Sequence, residues 1–173
     1  FGYQWLGAEA VFGIPVSVSV AYVFLFVLFG AFMDRAGAGR FFVDLAFAMV
    51  GRYRGGPAKA AILASGFTGM ISGSSIANTV TTGALTIPMM KRMGFPATKA
   101  GAIEVAASTN GQLMPPIMGA AAFIMAEFIG ISYYDVIVHA ALPAFLSYGA
   151  LFYISHLEAA KLGIEGLPRE ALI

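Results

Sequence analysis

Three observations predict an all-α, polytopic membrane protein. Of the 173 residues, 59% are hydrophobic and only 11% are charged, against roughly 25% charged in an ordinary soluble domain. Several uncharged runs are long enough to cross a hydrocarbon core about 30 Å thick. Two of those runs are interrupted near their middles by clusters of Ser, Thr, Asn and Gly. A mean hydropathy of +0.82 agrees with the composition. A chain so poor in charge cannot cover a soluble surface, so soluble enzymes and disordered chains are excluded. The formal net charge of +1 offers no basic excess for nucleic acid. The absence of cysteine excludes disulfide scaffolds and thiolate metal sites.

The charges parse the chain into elements. Residues 11–33 carry none and predict a transmembrane helix, closed by Asp34 and Arg35. Residues 41–51 are too short to span. Their apolar Phe42, Leu45, Ala46 and Met49 recur at helical spacing beside Asp44, which predicts an interfacial helix. A basic loop with Arg52, Arg54 and Lys59 precedes the uncharged residues 60–90, and Lys91, Arg92 and Lys99 follow them. One tilted helix would set these basic clusters on opposite sides of the membrane, whereas a re-entrant hairpin would set them on the same side. The positive-inside rule favours the hairpin, with its tip at the central polar break, Ser72 to Asn78.

Residues 100–134 predict a discontinuous transmembrane helix. Its first half ends before Ser108, an unwound linker follows, and a second half begins near Ile117. Pro115 and Pro116 lack the backbone donors a continuous helix needs. Residues 136–155 predict a final span, and residues 156–173 a polar tail. The chain opens on Phe1 with no basic leader, and a segment of a longer polytopic protein is expected.

Irregular backbone at membrane depth persists only where protein buries it or where it lines a cavity. Small residues also serve close helix packing, and that bland account covers Gly66, Gly69, Gly73 and Gly83. It does not require a Pro pair beside Asn110-Gly111. Neutral hydroxyl, amide and carbonyl oxygens suit a weakly held monovalent cation, and broken helices are the usual pointer to a transporter's ion and substrate site. The metal candidates, for Na⁺ as coupling ion, are Ser72, Gly73, Ser74, Ser75, Ser108, Thr109, Asn110 and Gly111. The substrate candidates are Ser74, Ser75, Asn78, Asn110, Pro115 and Pro116. No cofactor is expected.

Taken in order, Ser72-Gly73-Ser74-Ser75-Ile76-Ala77, Ile87-Pro88-Met89-Met90-Lys91 with Gly94-Phe95, and Gly111-Gln112-Leu113-Met114-Pro115-Pro116 resemble the large membrane subunit of tripartite ATP-independent periplasmic (TRAP) transporters. The likeness runs from about Ile14 to Leu146 and covers the first repeat. The tail, with His156-Leu157-Glu158 and Gly166-Leu167-Pro168-Arg169-Glu170, is similar to the variety with fused small and large subunits. Phe95 and Ile117 stand where the family often has Tyr and Ser. The resemblance implies sodium-coupled uptake of a small organic acid by an elevator motion, with this chain forming half of an inverted repeat. It implies a periplasmic substrate-binding protein, a small membrane subunit or its fused equivalent, and the remainder of the large subunit as partners. It places the protein in a bacterial or archaeal inner membrane.

Among membrane charges, Glu104 is expected near the interface, snorkelling or paired with Lys99 or Lys91, since it follows Lys99 closely. Glu127 and His139 are expected at interfaces. Two rival classes are a non-transporting scaffold subunit, which would tolerate apolar residues at Ser108 and Asn110, and an intramembrane serine hydrolase using the Ser72–Ser75 cluster with His139. The hydrolase lacks any Gly-x-Ser-x-Gly elbow, and no enzyme activity is expected.

Overall fold

The computed structural model describes residues 12–166 together with Trp5, Gly7 and Ala10. Among them the secondary structure is helical, with no strand. Helix α1 spans Ile14–Arg35, with a π-helical turn over Ser19–Val23. α2 is Ala38–Val50, α3 Gly56–Ser72, α4 Ser75–Arg92, α5 Ala97–Gly111, α6 Ala120–Ile129 and α7 Tyr133–Lys161. Among the described residues, only α1 and α7 are long and apolar enough to cross a membrane. Both leave large apolar side chains exposed, Phe24, Phe29 and Phe32 on α1 and Leu142, Phe145 and Leu146 on α7. A helix that exposes such a face needs lipid or another apolar surface against it.

α3 is the central post. Its small residues Ala58, Ala60, Ala61, Ala64 and Ser65 are fully buried, and α2, α4, α5 and α7 all pack on it. Small side chains on every face let four neighbours approach closely. The expected helix at 41–51 is Ala38–Val50, and it turns a different face inward. Val43, Ala46 and Phe47 pack against Ala60 and Ala64, while Leu45 and Met49 are exposed. Apolar residues ring this helix almost completely, so spacing alone does not choose the packed side.

α3 and α4 form a helical hairpin whose tip is only Gly73-Ser74. Ser75 and Asn78 belong to the first turns of α4, and the Ser74 hydroxyl caps it by accepting the Ala77 N–H at 3.3 Å. The long apolar stretch at 100–134 does break, but not at Ser108–Gly111. Ser108, Thr109, Asn110 and Gly111 are the last turn of α5, and the irregular segment is 112–119. The prolines set this limit. Continuing the helix through Pro115 and Pro116 would strand the carbonyls of Gly111 and Gln112, which lie four residues earlier. Thr109 meanwhile keeps its hydroxyl inside the helix, donating to the Val105 carbonyl at 2.8 Å. The Pro115–Pro116 peptide is cis.

The division between a 136–155 span and a 156–173 tail is absent at its first boundary. α7 continues unbroken to Lys161, with Ala159 fully buried and Ile164 packed into the main core beside Phe95. Residues 167–173 lie outside the described residues. Lys59, expected in the basic loop, is instead in the first turn of α3 and is buried.

Candidate functional site

Two glycine contacts position the site. At the hairpin tip Gly73 has φ +59°, a left-handed conformation, and a Cβ there would stand 2.1 Å from the Met118 carbonyl oxygen. Only glycine allows the tip to seat so closely on the broken segment. Lower down, α3 and α5 cross at Gly69 and Gly111, where a Cβ on Gly69 would fall 2.5 Å from the Gly111 Cα. Backbone therefore meets backbone at both levels.

The broken segment is tied at both ends. Gly119 N–H donates to the Gln112 carbonyl at 2.8 Å, closing the loop. The Tyr133 hydroxyl, from the start of α7, donates toward the carbonyls of Pro116 and Ile117. Met118 holds φ +58°, a conformation seldom adopted by a non-glycine residue. The carbonyl that faces Gly73 belongs to this constrained residue.

Between tip and break lies a cavity of about 350 Å³. Ser72, Gly73, Ser74 and Ser75 line it from the hairpin; Gln112, Ile117 and Met118 line it from the break; Val23 and Phe26 line it from α1. The C-terminal end of α3 and the N-terminal ends of α4 and α6 all reach this space. Helix C-termini carry partial negative charge and N-termini partial positive charge. One wall can thus favour a cation and another an anion.

The predicted site residues divide into two groups. The tip residues Ser72 to Ser75 reach the cavity. Ser108, Thr109, Asn110, Gly111, Pro115 and Pro116 do not line it; the side facing the tip is formed by Gln112, Ile117 and Met118 instead. Asn78 is 1% exposed and lies behind the tip, its amide donating to the Ser65 carbonyl at 2.8 Å while its Oδ1 has no partner. An unmatched buried acceptor costs about 1–3 kcal/mol, so Oδ1 is a ready ligand.

Glu104 occupies a place the sequence did not suggest. It is fully buried between α3, α4 and α5 rather than snorkelling at an interface. Ser65 donates to its Oε1 at 2.9 Å and Ser108 at 3.2 Å, with Thr82 also on Oε1 and Thr86 on Oε2. Lys99 pairs with Glu158 instead. The signal was present as spacing: Asn78, Thr82 and Thr86 stand four apart on one face of α4, and Glu104 and Ser108 four apart on α5. Ser108 thus belongs to this network. His139 Nδ1 contacts the Asp135 carbonyl at 2.7 Å and lines a separate cavity, so no Ser–His dyad forms among the described residues.

Comparison with known families decides what such a site belongs to. Residues 4–173 match the family described as "Tripartite ATP-independent periplasmic transporter, DctM component". The chain belongs to this TRAP transporter family. It is 32% identical over 147 residues to the C4-dicarboxylate TRAP transporter large permease protein DctM of Pseudomonas aeruginosa, covering 85% of this chain and 34% of that protein. It is 31% identical over 100 residues to the 2,3-diketo-L-gulonate TRAP transporter large permease protein YiaN of Escherichia coli, covering 58% of this chain and 24% of that one. It is 38% identical over 91 residues to the isethionate TRAP transporter permease protein DctMQ of Oleidesulfovibrio alaskensis, covering 53% of this chain and 14% of that one. The chain therefore spans about a third or less of the length of these TRAP relatives. The family is one of membrane transporters rather than enzymes, and the hydrolase alternative is not supported.

Proposed function

We propose that the full-length protein is a sodium-coupled secondary transporter for a small organic acid handed over by a periplasmic binding protein, with this segment as one half of an inverted pair. Its small membrane subunit would be a separate chain or fused to it. α1 and α7 would cross a bacterial inner membrane, and α3–α4 would enter and return as a re-entrant hairpin. The basic residues Lys59, Lys91 and Arg92 stand at the hairpin's open end, which suits a cytoplasmic position. An elevator motion would carry the hairpin with its load.

One observation carries most weight: the glycine tip of the hairpin rests on the Met118 carbonyl at the mouth of a cavity walled by three helix ends. Oxygens at the tip, the Asn78 Oδ1 and the end of α5 from Ser108 to Gly111 are the proposed Na⁺ ligands. Of the expected substrate residues, Ser74 and Ser75 line the cavity and are the proposed substrate contacts, aided by the N-terminal ends of α4 and α6. Among the described residues no carboxylate lines the cavity, and hard divalent ions normally recruit carboxylates. The relatives named above are described as handling C4-dicarboxylate, 2,3-diketo-L-gulonate and isethionate, all small organic anions.

The test is uptake of labelled organic acids by the full-length protein and its partners in proteoliposomes under a sodium gradient. Asn78→Ala and Asn110→Ala should each raise the sodium concentration for half-maximal uptake by roughly 5- to 150-fold, the equivalent of one lost ligand. Wild-type uptake indifferent to sodium would overturn the proposal.

A further inference from the structure

A second cavity lies away from the hairpin tip, between α3 and α7, with a volume of about 650 Å³. Its walls are almost wholly apolar, built from Ile62, Leu63 and Phe67 on α3 and Phe145, Phe152 and Tyr153 on α7. The exception is one end, where Lys59 and His156 meet with Nζ and Nδ1 3.1 Å apart. Lys59 is only 6% exposed, lies 5.3 Å from the Phe152 ring centroid, and has no carboxylate partner among the described residues. A buried ammonium so placed is costly unless an anion joins it.

We propose that this groove binds one acyl chain of an anionic phospholipid, with the lipid phosphate held by Lys59 and His156. Its dimensions are those of one leaflet. From His156 to Phe145 the groove follows α7 for about 16 Å at the helical rise of ~1.5 Å per residue, close to half of a hydrocarbon core about 30 Å thick. The charged end coincides with the basic end of the molecule, where Arg52 and Arg54 precede α3 and Lys91 and Arg92 close α4. Basic pockets between membrane helices on the cytoplasmic side suit anionic headgroups. A single acyl chain is slender enough to lie along it.

Native mass spectrometry of the full-length protein, extracted in mild detergent and offered phosphatidylglycerol or phosphatidylcholine, reads this site without any uptake assay. The wild type should retain one phosphatidylglycerol in about fivefold preference to phosphatidylcholine, the effect of a single lysine near the headgroup. Lys59→Gln should abolish the preference. Gly149→Leu should displace the lipid of either kind while leaving the protein folded, because Gly149 lines the groove and a Cβ there meets no atom within 4 Å. Equal retention of the two lipids by the wild type, undiminished retention in Gly149→Leu, or a cross-link from Lys59 to a carboxylate elsewhere in the chain would overturn the proposal. Sodium dependence of uptake is untouched by any of these outcomes, so the lipid site and the transport function stand or fall separately.

Discussion

Two polar zones are built on α3, α4 and α5, and they differ in what their oxygens face. Around Glu104 four hydroxyls converge on one carboxyl group, and Thr82 and Thr86 also sit on the carbonyls one turn back, at 2.7 and 3.0 Å. All five residues are fully buried. At the hairpin tip, by contrast, Ser72, Ser74 and Ser75 border an open cavity, and Asn78 behind them keeps an unmatched oxygen. The same residue types thus do opposite work a few turns apart. A closed network fixes three helices in register, because separating them would strand several buried groups at once. An open cluster leaves its ligating power for something that arrives.

The sharpest way to break this contrast is Glu104→Ala. It should lower the stability of the full-length protein by about 2–4 kcal/mol, combining an internal void with unmatched Ser65 and Ser108 hydroxyls. A thermal-unfolding series in detergent measures it, and an unchanged midpoint would mean that the network does not lock the helices. A stability loss of at least roughly 1–2 kcal/mol, the cost of a left-handed non-glycine residue before its Cβ meets the Met118 carbonyl, is expected for Gly73→Ala. Its uptake should nonetheless fall by at least tenfold, since the tip can no longer rest on the Met118 carbonyl. Preserved uptake would show that the tip contact is incidental. The smallest effect belongs to Asp44→Asn on α2. Its partner Arg40 is 4.0 Å away and both side chains are largely exposed, so stability and uptake should both match the wild type.

What the sequence showed well was where charge is missing. α1 and most of α7 follow uncharged stretches at 11–33 and 136–155, because an apolar helix leaves a plain compositional trace. The hairpin turn was equally visible, since Gly73 between serines stops one helix and Ser74 starts the next. The end of α5 lies about one turn beyond where the sequence predicts it. Polar side chains at Ser108 and Thr109 looked like a break, yet their hydroxyls bond within their own helix or to Glu104, while the prolines, through the donors they lack, set the real limit. Glu104 itself was hidden by its nearness to Lys99 in the chain. Its true partners come from α3, α4 and α5 together, and only the four-residue spacing of Asn78, Thr82 and Thr86 hinted at them. For the same reason nothing in the sequence around Gln112 marks it as a residue that lines the tip cavity.

The crossing of Gly69 and Gly111 has a mechanical meaning. Where two helices touch through side chains, a change of rotamer can ease them apart by small steps. Here nothing of that kind stands between them, so the joint behaves as a weld. The hairpin and the end of α5 are held together there, whereas the other walls of the cavity are faced with side chains: Val23, Phe26 and Val27 on α1, and Phe123 on α6, whose ring stacks against Phe26 at 5.1 Å. A door in this molecule would be hung on the aromatic side, with the glycine side as its frame.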